Sequence, residues 1–161
     1  MKYWSVIVVV NIFYIILDNL YKSLLLPSSI VYPMCKICIN NPGSHSFEFV
    51  GVQNGMNLYY TCPAKATMYW DTEGILMHYE ELLEQNGDHP WIWLFDGEGF
   101  GLMHSMQIST ALGIVDLFKK KYGKYLMEIR ITHPTTYIKS LYAVIYPFLD
   151  EKIDNIIQWG E

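Results

Sequence analysis

The sequence predicts an α/β fold, a mostly parallel sheet with flanking helices. Three observations carry this expectation. From Trp91 to Trp159, short apolar runs alternate with helix-length segments in the order strand, helix, strand, helix, strand, which is the pattern of parallel crossovers. Upstream, two β-rich stretches flank Gln53-Asn54-Gly55-Met56, and Asn-Gly in that position is a hairpin signal. From Tyr137 to Leu149 the strongly hydrophilic side chains are Lys139 and Ser140 alone, so this segment reads as a helix apolar nearly all round. Such a helix must be deeply buried or must face something greasy that is not protein.

Composition sharpens that choice. A chain of 161 residues suits one domain, and it can bury roughly 70% of its unfolded surface. Its hydrophobic fraction is 52%, its aromatic fraction 16% and its charged fraction only 17%, so surplus apolar surface needs a destination. A net charge of −5 argues against a nucleic-acid binder, whose affinity rests on neutralising phosphates. Three cysteines are too few for a disulfide framework, which makes a reducing compartment the default.

The elements follow in order. Residues 1–30 read as an apolar N-terminal helix, with Phe13, Ile16, Leu17, Leu20 and Leu24 on one face. It is either packed or membrane-surface, or a signal or anchor, because Val6 to Leu17 suits a signal core and falls short of the ~20 residues a span needs. Residues 31–46, with two prolines, two cysteines and Gly43, form an irregular connector. One domain covers 47–161. It opens with strands Phe47 to Val52 and Asn57 to Cys62, then a helix capped at Asp71 or Thr72 and closed by Gly87. Trp91 to Phe95 suits a strand covered on both faces. A helix from Ser105 to Tyr122, a strand from Leu126 to Thr132, the apolar helix, and a last strand from Lys152 to Trp159 complete the chain.

Several chemistries fail on spacing. Gly97, Gly99 and Gly101 space as G-x-G-x-G, not as a dinucleotide fingerprint, and Asp96 and Glu98 lie where pyrophosphate would approach. His104 and Ser105 are neighbours, which keeps the imidazole from the hydroxyl, and nothing orients Asp96 and Glu98 as an acid–base pair. Cys35 and Cys38 form a Cys-x-x-Cys, with His45 and Cys62 as the further ligands a tetrahedral zinc would need if the connector folded back. A lone Cys-x-x-Cys is weak, so ordinary buried thiols and no metal are expected. Lys119, Lys120, Lys121 and Lys124 complement a helix C-terminus; their sharper reading is a dock for anionic headgroups.

The order and spacing of these elements resemble the CRAL-TRIO family of lipid-binding domains. The resemblance runs through Trp91-Ile92-Trp93-Leu94-Phe95-Asp96-Gly97-Glu98-Gly99, Ile131-Thr132-His133-Pro134 and Tyr146-Pro147-Phe148-Leu149-Asp150. It implies a CRAL-TRIO-like sheet flooring a hydrophobic cavity, with 137–149 as a mobile gate, one bound phospholipid or other small hydrophobic ligand, exchange at membranes and no catalysis. On that footing Trp93 and Phe95 are floor, and Tyr137, Ile138, Leu141, Tyr142, Ile145 and Phe148 are gate and wall. Asp96 and the glycines after it would shape the rim. Tyr146 stands where phosphatidylinositol-binding members usually carry a basic residue, which argues against that headgroup. The expected setting is cytoplasmic or peripheral to a membrane, with no cofactor beyond a bound lipid. The His-Pro form also resembles the BCH subfamily, which implies the alternative of a module binding a small GTPase or its regulator.

Overall fold

The structure is a computed structural model that describes residues 35–160. The expected N-terminal helix and its signal or anchor alternative lie outside the described residues. Within the expected connector, Cys35 accepts a hydrogen bond from the Cys38 backbone at 3.2 Å and caps a short helix, α1, Lys36–Asn40. Strands β1, Glu48–Gln53, and β2, Met56–Thr61, form an antiparallel hairpin with a bulge between Phe49 and Gly51. Asn54 and Gly55 both take positive φ, 52° and 77°, as a two-residue primed turn demands.

Asp71 accepts from the Gly74 backbone at 3.1 Å and starts α2, Thr72–Asn86. Strand β3, Trp91–Asp96, follows. The single helix expected from Ser105 to Tyr122 is instead α3, Leu102–Ser105, then α4, Ile108–Leu117, then a π turn over Phe118–Tyr122. The break falls at Gln107, whose ψ of 53° is non-helical; upstream, His104 Nδ1 accepts from the Gly101 backbone at 3.1 Å and caps the start of α3.

Strand β4, Leu126–Thr132, leads to the apolar helix α5, Thr136–Ile145, and a 3-10 turn over Tyr146–Phe148 that contains Pro147. The expected strand from Lys152 is corrected at its first half. Asp150 accepts from the Ile153 backbone at 2.8 Å and caps helix α6, Glu151–Asn155, leaving β5 as Ile157–Trp159.

The five strands are ordered β1-β2-β3-β4-β5, antiparallel at the hairpin and parallel from β2 onward. This is the α/β class the sequence predicts. Parallel register sets Tyr59, Trp93 and Ile129 side by side, and likewise Thr61, Phe95 and Ile131. Because side chains alternate along a strand, these residues share one face of the sheet. At the hairpin end, the Phe47 ring stacks on Tyr79 at 3.9 Å and on Tyr59 at 5.1 Å, and Trp91 meets Tyr59 and Phe118 edge-on. Toward β5 the packing opens into a cavity.

The aromatic cluster is the closed half of the core, so Phe47→Ala should lower the unfolding free energy by about 3–5 kcal/mol. Urea titration should show a lower midpoint at unchanged slope. A shift under about 1 kcal/mol would mean the cluster is not core.

Candidate functional site

Parallel pairing fixes the floor. Trp93, Phe95, Ile129, Ile131, Ile157 and Trp159 all project from the same sheet face into one cavity. Trp93 and Phe95 meet edge-on at 5.4 Å. Helix α4 supplies a wall through Thr110, Ala111, Ile114 and Val115, at spacings that repeat along one helical side. About 170 Å3 is open to the centres of water-sized molecules, and the full gap between the walls, mouth included, is about 1120 Å3. The first figure is the one comparable to small-molecule pockets, which run roughly 300–1,000 Å3, so the cavity as it stands is small and a lipid-sized guest requires its walls to part.

Polar groups in this wall are engaged with one another. The Trp93 indole donates to the Thr61 hydroxyl at 2.9 Å, and Thr61 and Tyr79 share a hydrogen bond of 2.8 Å. Burial pushes the Tyr79 phenol up, so it stays neutral. Thr110 is bonded to Thr72 at 2.7 Å. What remains for a ligand is mostly hydrocarbon, with Tyr69, His104 and Gln107 as polar residues on the lining.

Of the residues expected to form floor, gate and wall, Trp93, Phe95, Ile138, Leu141, Tyr142 and Ile145 line this cavity. Tyr137 and Phe148 do not; they are 43% and 53% exposed. Helix α5 therefore has an apolar inner side and an outer side where Tyr137 and Val144 stand among Thr136, Lys139 and Ser140. Ile138 is buried, Leu141, Tyr142 and Ile145 are half-buried over the cavity, and Val144, 49% exposed, points outward with Tyr137 and Phe148. The deep burial that an all-apolar helix would suggest is not found. The neighbouring α3 is similar, with Leu102 and Met103 exposed.

Both ends of α5 are tied down. Thr135 accepts from the Ile138 backbone at 3.3 Å and donates to the Phe100 carbonyl at 3.0 Å. Tyr142 donates to Asp154 at 2.5 Å and meets the Trp159 ring edge-on. Burial and that carboxylate push the Tyr142 phenol up to about 12. Lys119 donates to the Phe148 carbonyl at 3.0 Å. The other expected docking lysines also meet protein groups: Lys120 pairs with Asp116, Lys121 with Glu80 and Glu84, and Lys124 lies over the Tyr125 ring. The carbonyl of Gly123 receives Lys152, at 2.6 Å.

At the rim, Asp96 joins the ends of three strands. It accepts from the Tyr60 hydroxyl at 2.6 Å, the Glu98 backbone at 3.0 Å and His133 Nδ1 at 2.8 Å. His133 itself takes φ +48°. Gly97 admits no side chain, since a Cβ there would clash with the His133 carbonyl and with Ile138. Sequence reasoning missed Ile129, Ile131, Ile157 and Trp159, although their alternation with Trp93 and Phe95 carried the signal. It also missed the α4 wall, which becomes visible only once α4 is placed over the sheet.

A strand-floored apolar cavity beneath α5 defines the class of this protein, an α/β domain with a hydrophobic pocket on one sheet face. The family model for the CRAL/TRIO domain matches residues 36–159, and the chain belongs to that family, whose domains bind lipids or other small hydrophobic molecules. Among solved structures, the crystal structure of Sfh5 is similar at TM-score 0.57 and 14% identity, over 71% of this chain and 46% of that one. The chain thus spans under half the length of Sfh5. A search of curated proteins finds no match.

Burial opposes ionisation of Asp96, but the bonds from Tyr60, Glu98 and His133 outweigh it and hold the carboxyl below its ordinary value. A depressed folded-state pKa gives stability that is complete above about pH 4 and lost as pH falls through the folded value. The stability gap between the natural chain and Asp96→Asn should therefore shrink on acidification. Urea titrations between about pH 6 and about pH 2 check this, and a constant gap would contradict the rim geometry.

Proposed function

We propose that the domain holds one hydrophobic ligand, of the size of a lipid, beneath α5 and exchanges it at a membrane surface. The observation that carries this is the set of apolar side chains that α5 and the turn after it show both to the cavity and to the outside. The inner residues of α5 cover the cavity without closing it, while Tyr137, Val144 and Phe148 leave hydrocarbon outside. Exposed apolar patches mark interaction surfaces, and a helix beside a cavity mouth suits a gate. Among the described residues no helix is long and apolar enough to cross a membrane, so contact through this face would be peripheral. The mostly apolar wall supports a non-catalytic role.

The test is uptake of a fluorescent phosphatidylcholine from phosphatidylcholine–phosphatidylserine vesicles by the purified full chain. Leu141→Asp places a carboxylate in the apolar wall and should reduce loading at least about tenfold, since an unpaired buried charge costs more than the 1.4 kcal/mol that factor represents. Val144→Ser combined with Phe148→Ser removes outward hydrocarbon alone. It should leave equilibrium loading near that of the natural chain while slowing exchange by about tenfold, from apolar area worth about 25 cal/mol per Å2. Folded Leu141→Asp protein that loads normally would contradict the cavity. Loss of a protein partner from the double variant, with exchange unchanged, would point to the protein-interaction alternative.

A further inference from the structure

We propose that Cys35, Cys38, His45 and His78 form a structural zinc site that fastens the segment before β1 to helix α2. The four side chains come from two parts of the chain, and their potential ligand atoms all lie within 4.8 Å of one another. Each residue is at least nine-tenths buried, with exposures of 4%, 3%, 6% and 6%. Cys62, the remaining cysteine, is not in the group; its sulfur lies 3.6 Å from the Glu98 carbonyl.

The distances fit tetrahedral coordination. Sγ atoms of Cys35 and Cys38 lie 3.5 and 3.6 Å from His45 Nδ1. Zinc–sulfur bonds of about 2.3 Å and zinc–nitrogen bonds of about 2.0–2.1 Å at tetrahedral angles give an S···N edge of about 3.6 Å. The Cys38 backbone N–H points at the Cys35 sulfur, so the turn at α1 already presents both sulfurs to one point.

Both imidazoles are oriented as metal ligands. His45 Nε2 is 3.1 Å from Asp71 Oδ2, and His78 Nε2 is 2.7 Å from the Phe47 carbonyl. Each bond places the ring proton on Nε2 and leaves an Nδ1 lone pair directed inward. A carboxylate or carbonyl behind the far nitrogen is the usual support for a zinc-bound histidine. His78 Nδ1 is buried and has no hydrogen-bond partner among the described residues. An orphaned buried acceptor is costly, and a cation beside two sulfurs and a second imidazole would satisfy it. Gly74 belongs to the same construction, because a Cβ there would clash with Asp71 and lie 2.8 Å from His45 Cε1.

Two sulfur and two nitrogen donors select zinc over hard cations, and four protein ligands leave no open position for a substrate. The role is therefore structural. Zinc would fix α1 and the residues leading to β1 against α2, beside the aromatic cluster around Phe47.

The full chain, purified without chelators, should contain about one zinc per molecule by plasma mass spectrometry. Cys38→Ser should lose most of that metal, while Cys62→Ser should retain it. Asp71→Asn keeps an oxygen to cap α2 but loses the carboxylate behind His45, and should bind zinc 10–100-fold more weakly in chelator competition. Chelation should lower the melting temperature by on the order of 10 °C, reversibly on adding zinc. Cobalt uptake by the natural chain gives a readout that needs no variant to fold: thiolate charge-transfer and tetrahedral ligand-field bands are expected. A natural chain that takes up neither zinc nor cobalt, or equal metal loss in Cys62→Ser and Cys38→Ser, would overturn the proposal.

Discussion

The rest of this structure depends on how one sheet face is covered. Parallel pairing of β2 to β5 lines up aromatic and branched side chains on that face, and burial of such area is the main favourable term in folding. Over the half nearest the hairpin, rings of Phe47, Tyr59, Tyr79, Trp91 and Phe118 close against each other. Over the other half, α4 and α5 stand off the sheet and leave a gap whose walls are hydrocarbon. A void lined by apolar atoms forfeits dispersion contacts on both sides, so an apolar ligand there would add contacts that the protein alone lacks.

The same constraint explains how α5 is held. Its inner face makes limited contact, so polar anchors at each end set its position: Thr135 against the Phe100 carbonyl, and Tyr142 against Asp154. Between these anchors Ile138 is its one fully buried side chain. The strand ends beneath it are the opposite case. Asp96 ties Tyr60, the Glu98 backbone and His133 into a compact rim, and Gly97 permits the close approach that seats Ile138.

Much of this was legible in the sequence. The order of β3, α4, β4, α5 and β5 follows from hydrophobic periodicity, and the Asn54-Gly55 turn from its positive-φ requirement. The gate-and-wall residues came from the family resemblance, and the structure sets Ile138, Leu141, Tyr142 and Ile145 of that group along the cavity. The errors have local causes. A non-helical backbone at Gln107 interrupts the helix that periodicity would run through to Tyr122. Asp150 caps a helix where the apolar run alone suggested strand. Tyr137 and Phe148, expected as gate and wall from the resemblance, instead stand exposed at the two ends of the segment. His78 was invisible as a partner of Cys35 and Cys38 because only the packing of α2 brings it within reach.

Native mass spectrometry of the full chain, isolated under gentle, detergent-free conditions, tests the central claim most directly. The account predicts a species heavier than the bare chain by the mass of one small hydrophobic molecule, released on organic extraction. A spectrum showing only bare chain, from protein that also takes up nothing when incubated with vesicles, would contradict it.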